Sequence, residues 1–267
     1  MKPGIYHGLS NEAYHAGPGV SKSQLDDIAI NPAIYLWRQH APVDTDKTAA
    51  LDMGSALHCM LLEPDQFDKR FAVAPFFDRR TTQGKADEQA FLNDARVRGT
   101  TVMDAGQGRK LRLMCESVMA HHTARFLLEA DGHCESSLYW SDTETDELCR
   151  IRPDKFLTGR PVILDVKKVS DMSRFARHIE EFRYHVQAAM YSEGFYRCCG
   201  AHPQFVFIAV SESIDCGRYP VRVFDLHEDD MNAGFELFRR DLSTFHSCRL
   251  SNNWGGVETI QRPAWAR

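Results

Sequence analysis

The sequence predicts an α/β chain, with a central mixed sheet flanked by helices after a mainly helical first part. Three observations point there. First, 43% hydrophobic against 26% charged residues over 267 positions is the balance of a soluble chain able to bury a core. Second, apolar periodicity switches from helical to alternating at Gly132. Third, three strands, a helix, two strands and a closing helix follow, the order of a sheet covered by helices. The length fits one domain over 1–267, with 1–130 mainly helical and 131–267 forming the core.

Met1 to Gly8 lacks the apolar stretch of a signal peptide, and no window approaches the roughly 18 apolar residues that cross a bilayer. A cytoplasmic location with no membrane partner is expected. Residues 20–40 read as two short helices. Ser21 and Gln24 have the spacing of a capping box, and Asn31-Pro32 ends one helix and starts the next. After a polar linker, Thr45 to Thr48, a helix is expected from about Ala49 to Leu62, with Leu51, Leu57 and Leu61 as apolar positions and Pro64 beyond its end. Asp78 to Lys85 has no periodicity and three cations, Arg79, Arg80 and Lys85, so an exposed basic loop is expected. Gln107 to Ala130 is helical in period.

Cys134 to Trp140, Leu148 to Leu157 and Val162 to Lys167 read as strands, separated by the turn-rich Asp142–Glu147 stretch and by Thr158–Pro161. Phe182 to Cys199 is helical, Phe205 to Val210 and Tyr219 to Leu226 are strands, and Asp229 to Cys248 closes the chain as a helix. The eight cysteines form no CxxC pair, which argues against a zinc ribbon. Ordinary reduced thiols are expected, with the vicinal Cys198-Cys199 as one end of an iron–sulphur site the alternative. The net charge of -5 excludes a protein that coats the outside of DNA.

Chemistry concentrates in the strands. With Gly159-Arg160 as a two-residue hairpin turn, facing residues sum to 319, and Asp154 stands opposite Asp165. Opposed side chains on one face lie about 5 Å apart, so both carboxylates would meet beside Lys167, two residues on. Such a pair is costly without a cation between them. Oxygen ligands favour Mg²⁺ or Mn²⁺ over zinc. A lysine there suits charge developing on a phosphate oxygen, which completes the parts of metal-assisted phosphodiester hydrolysis. Alone, a D-x-K triplet is more often a solvated salt-bridging face. The apolar run Val162-Ile163-Leu164 before Asp165 and the acid of Pro153-Asp154 weigh toward the site.

Arg152-Pro153-Asp154, Asp165-Val166-Lys167, Gly54-Ser55-Ala56-Leu57-His58 and Gln187-Ala188-Ala189-Met190-Tyr191 resemble the PD-(D/E)xK nuclease superfamily, in the branch shared with RecB-type and lambda-type exonucleases. Residues 17–28 and 216–221 are similar to the RecE-type exodeoxyribonuclease VIII nuclease domain. The resemblance covers essentially the whole chain. It implies a restriction-endonuclease-like core in a free-standing nuclease domain of a prophage or phage recombination gene. The implied activity is Mg²⁺-dependent 5′-to-3′ digestion of one strand at linear double-stranded DNA ends, leaving 3′ tails. The implied partners are a ring-shaped homo-oligomer, trimer or tetramer, and a RecT-type single-strand annealing protein. A ring needs positive charge only on its inner wall, which a net charge of -5 permits and where the clustered cations should face.

By residue, the resemblance implies that Asp154, Asp165, His58 and the Val166 carbonyl hold the metal, that Lys167 is the catalytic lysine, and that Gln187 and Tyr191 line the active site. Read without it, His58 is a core histidine, and Gln187 and Tyr191, four apart on one helix face, are ordinary polar packing. Glu135 either orients Lys167 or caps a strand. Ser21, Lys22 and Ser23, opening a helix, form either a 5′-phosphate pocket or a plain cap. Arg79, Arg80 and Lys85 either track the DNA backbone or form a solvated loop. Where the family has Thr, this chain has Lys168, which should point away from the metal. A structure-specific endonuclease, or a catalytically silent DNA-binding module of the same fold, remains the alternative.

Overall fold

The computed structural model describes residues 1–43 and 53–266. In the first part, β1 (Gly4–Tyr6) and α1 (Asn11–Ala16) precede α2 (Lys22–Ile30) and α3 (Pro32–His40). The capping box closes α2, since Gln24 Oε1 accepts from Ser21 N at 2.8 Å. Asn31 caps α3 by accepting from Ala33 N at 2.8 Å, with Pro32 at the first position, where no N–H is needed. Next comes α4 (Met53–Leu62); the linker 45–48 and Leu51 lie outside the described residues. The short α5 (Phe67–Arg70) leads into β2 (Phe71–Val73).

The expected basic loop is only partly a loop, because α6 (Thr82–Arg98) begins inside it and takes Lys85 into its first turn. Thr81 caps it, accepting from Gly84 N at 2.9 Å. Only Gly84 and Ala95 of α6 are buried, so it carries no apolar stripe for periodicity to reveal. After β3 (Thr101–Met103), parallel to β2, the expected 107–130 helix is two, α7 (Ala105–Ala120) and α8 (His122–Glu129). His121 divides them, its ring nitrogen accepting from Ala124 N at 3.3 Å to cap the second.

Two expected strands also divide. Cys134–Trp140 becomes β4 (Gly132–Cys134) and β5 (Ser137–Ser141), and Leu148–Leu157 becomes β6 (Leu148–Ile151) and β7 (Lys155–Leu157). One half of each enters a three-stranded sheet, β1-β5-β6, and the other a five-stranded sheet. Both breaks have a local cause. Glu135 has φ +47, which turns the chain out of an extended path, and Pro153 has no N–H for a ladder. The breaks are joined by Glu135 N donating to Asp154 O at 3.0 Å.

The five-stranded sheet is ordered β10-β9-β8-β7-β4, with β8 (Val162–Val169) parallel to β9 (Gln204–Ser211) and the other pairs antiparallel, including β10 (Val221–Phe224). The crossover between β8 and β9 carries α9 (Phe175–Glu181) and α10 (Tyr184–Cys199), and α11 (Glu228–Ser251) packs on α10. Lys155 stands opposite Leu164 and Phe156 opposite Ile163, the register expected from a sum of 319. The strands stop at Leu157 and Val162, so Thr158–Pro161 is a four-residue connection rather than a two-residue turn. Both versions are centred between Gly159 and Arg160, which is why the register is unchanged.

Strand β8 is buried on both faces, as a parallel neighbour and two helical layers require. Ile163 and Val169 face Val186, Met190 and Phe238 of α10 and α11. Val166 faces Ala56, Leu57, Leu111 and Met114 of α4 and α7. Asp165 and Lys167 share the first face by strand alternation. Among the described residues no helix is long and apolar enough to cross a membrane.

The backbones of α10 and α11 nearly touch at Gly234, where a Cβ would lie 2.2 Å from His185 O. Gly234→Ala is therefore expected to lower stability by about 1–3 kcal/mol, since backbone cannot swing aside. A Cβ on Gly159 meets nothing within 4 Å. Thermal melts should place Gly159→Ala at the wild-type Tm and Gly234→Ala several degrees below it.

Candidate active site

Asp165 and Lys167 project from β8 toward α10, where Gln187 joins them. Lys167 Nζ lies 2.7 Å from Asp165 Oδ2 and donates to Gln187 Oε1 at 3.0 Å. Gln187 Nε2 donates to Asp165 Oδ1 at 2.6 Å. The amide thus fixes acid and lysine at once. The ring of Tyr184 lies 4.5 Å from the lysine nitrogen and adds a cation–π contact. Burial opposes charge on Lys167, but Asp165 and Asp154 outweigh it and hold its pKa above the ordinary value. Tyr191, one turn beyond Gln187, packs at 6.2 Å from the Phe205 ring. Burial first, and then the charges of Asp165, Asp154 and Glu135 among others, push its hydroxyl pKa far up.

Beside this chain stands a second group. His58 from α4, Glu135 from the β4–β5 break and Asp154 before β7 each offer a ligand atom, all within 4.8 Å of one another. His58 Nε2 donates to Val166 O at 2.7 Å, leaving Nδ1 3.5 Å from Asp154 Oδ2. Asp154 Oδ2 accepts from Val166 N at 2.6 Å. The expected pair is therefore corrected in one respect. The ladder ends at Lys155 and Leu164, so Asp154 lies beyond the end of β7; its carboxylate reaches the Val166 amide, while that of Asp165 meets Lys167 and Gln187. The Val166 carbonyl faces the group and is taken by His58.

Glu135 directly follows β4 and stands with His58 and Asp154, while Gln187 holds the lysine. Its carboxyl pKa is pushed up to about 7 by burial and by the charge of Asp154. Asp154 is raised by burial and by Asp165, against the opposing pull of His58. His58 is disfavoured as a cation by burial but held above its ordinary pKa by Asp154 and Asp165. Two half-buried carboxyl groups converge here with one imidazole, and the carboxylates are the oxygen donors that a hard divalent cation takes. A cavity of about 660 Å³ opens on His58 and Glu135, with Glu63, Arg70 and Arg152 along its wall. Arg152 is committed to structure, its guanidinium 4.6 Å over the Tyr14 ring and donating to Ser137 Oγ at 3.0 Å.

Ser21, Lys22 and Ser23 open α2 close to this centre. Lys22 Nζ pairs with Asp26 at 2.7 Å and donates to Phe182 O at 2.8 Å. Burial lowers its pKa and the nearby charges of Lys167 and Arg183 lower it further, against the pull of Asp26. Ser21 Oγ lies 3.1 Å from Ser23 Oγ. Arg79 is bound by Glu88, through Nε at 2.9 Å. No hydrogen bond or ion pair among the described residues joins Arg79, Arg80 or Lys85 to the centre. Lys168 turns away as expected and meets Glu212 at 3.1 Å.

Sequence reading overlooked Tyr184 and Arg183. Tyr184 precedes Gln187 by one helical turn, a spacing that was available. Arg183, at φ +53, links Asp26 to the buried Asp241, a long-range pairing with no local signature.

Comparison with known proteins gives the fold and the family. A search of curated proteins returns no match. Among solved structures, a protein assigned as an exonuclease from Eubacterium rectale is 14% identical and covers 95% of this chain and 96% of its own, with a TM-score of 0.61. An alkaline exonuclease from Laribacter hongkongensis is 11% identical over 76% of this chain and 92% of its own, at a TM-score of 0.31 that carries no weight. The first likeness shows the fold, a restriction-endonuclease-like core. The profile of the PDDEXK-like domain of unknown function (DUF3799) matches residues 21–259, a span that includes every acid, the histidine and the lysine of the centre, and the chain belongs to that PD-(D/E)xK nuclease-type family.

Proposed function

We propose that the chain is a Mg²⁺-dependent exodeoxyribonuclease of the RecE type, with Mn²⁺ able to replace Mg²⁺, that digests linear duplex DNA from the 5′ end and leaves 3′ single-stranded tails for annealing. The observation that carries this reading is the Asp165–Gln187–Lys167 chain standing beside His58, Glu135 and Asp154. A divalent ion held by that group supplies Lewis-acid polarisation of a phosphate ester and activation of water. Lys167, kept charged by two carboxylates, meets the negative charge that develops on a phosphate oxygen. Gln187 keeps that ammonium aimed, and Asp165 balances its charge when no substrate is present. A ring-shaped homo-oligomer and a RecT-type annealing protein belong to the same proposal.

The test is digestion of linear against covalently closed circular duplex, with and without chelator. Linear DNA should disappear, the circle should survive, and chelation should stop the reaction. Loss of the circle would favour an endonuclease, and loss of neither a silent module.

The proposal puts the 5′-phosphate at the Ser21–Lys22–Ser23 start of α2, whose cation is near enough to Lys167 for their charges to interact. A 5′-phosphorylated end should be cut roughly tenfold faster than a 5′-hydroxyl end, the worth of a hydrogen bond to a charged group. Lys22→Ala should erase that preference. Equal initial rates on the two ends in the wild type would remove the phosphate pocket from the account.

A further inference from the structure

Phe182 sits in the connection between α9 and α10 with 47% of its surface exposed. Charged residues, Glu181 and Arg183, flank it in the chain. Its carbonyl accepts from Lys22 Nζ at 2.8 Å. Its ring lies 5.6 Å from the Tyr184 ring and 5.2 Å from that of His178, tilted to both. Tyr184 is in turn the ring beneath Lys167, 4.5 Å from Nζ. Two contacts in series therefore run from the lysine to an exposed aromatic surface, whose backbone carbonyl holds Lys22.

We propose that Phe182 is a stacking platform for the base of the 5′-terminal nucleotide, unpaired from its complement while its phosphates are held at Lys22 and Lys167. The inference rests on the nuclease reading above and adds to it a substrate feature, a splayed terminal base. The chemistry is complementary: the cations take phosphate, and the aromatic ring, in contact with His178 and Tyr184, takes the flat face of any base. Such a platform has no sequence preference, since every base offers a π-face.

The experiment compares wild type, Phe182→Ala and Phe182→Trp on 5′-phosphorylated linear duplex with Mg²⁺, with either a normal or an abasic 5′-terminal nucleotide. Phe182→Ala should slow removal of the normal terminal nucleotide on the order of ten- to a hundred-fold, the range for loss of one base–aromatic stack. Phe182→Trp should restore the rate. The abasic end should slow the wild type by a comparable factor and slow Phe182→Ala no further, because either change removes the same contact. Multiplying effects, or an unchanged Phe182→Ala rate on the normal end, would overturn the platform while leaving the nuclease reading intact. A wild type inert on every linear end would remove both. Melting curves of the variants should match the wild type, since the ring is half exposed.

Discussion

Lys167→Ala should lower the rate of DNA digestion by about 10²–10³-fold or more, the size of effect seen when a single charge-stabilising donor is removed from a reacting centre. Lys168→Ala, one residue on, should keep near wild-type activity. The contrast follows from strand alternation. Lys167 meets Asp165, Gln187 and the Tyr184 ring on the α10 face of β8, whereas Lys168 leaves on the other face toward Glu212. Both removals take one positive charge from the same strand, so a general electrostatic effect on DNA binding would move them together. Steady-state rates on linear duplex at saturating DNA separate the outcomes; comparable losses would mean that Lys167 acts only through net charge.

The second large effect concerns the metal. Adding Mg²⁺ or Mn²⁺ to metal-free protein should raise Tm by about 5–10 °C near a hundredfold excess over Kd, from the mass-action gain of about 2.7 kcal/mol and the melting behaviour of a chain of this length. His58→Ala and Asp154→Asn should each abolish the shift and the activity together. Glu135→Gln is the more revealing variant. In chelator it should melt above the wild type, because it removes a buried carboxyl that Asp154 repels, and it should gain little on addition of metal. A wild type whose Tm ignores divalent cations, or a Glu135→Gln that still gains fully, would show that these three residues do not hold the ion.

Much of this centre was legible because its parts obey local rules. The sum of 319 gave the register of Lys155 with Leu164 and Phe156 with Ile163, and the apolar run before Asp165 marked a buried strand, although Asp165 sits within that strand. The capping box at Ser21 and the Asn31-Pro32 junction were similarly local. What stayed hidden was non-local or unpatterned. Nothing in Cys134-Glu135-Ser136 announces a left-handed residue, so one strand was read where two enter different sheets, and the place of Glu135 beside His58 and Asp154 was not foreseen. The polar helix α6 has no buried stripe and therefore no period. The turn of the Asp154 carboxylate to the Val166 amide depends on where β7 stops, which a register argument does not specify.

The most direct measurement is digestion of a 5′-phosphorylated linear duplex carrying a label at the 5′ end of one strand or, in a parallel sample, at its 3′ end, with Mg²⁺ present. The account predicts early release of the 5′ label as a short product while the 3′ label stays on a progressively shortening strand. Early release of the 3′ label, or fragments cut from the interior with both labels on long products, would contradict it.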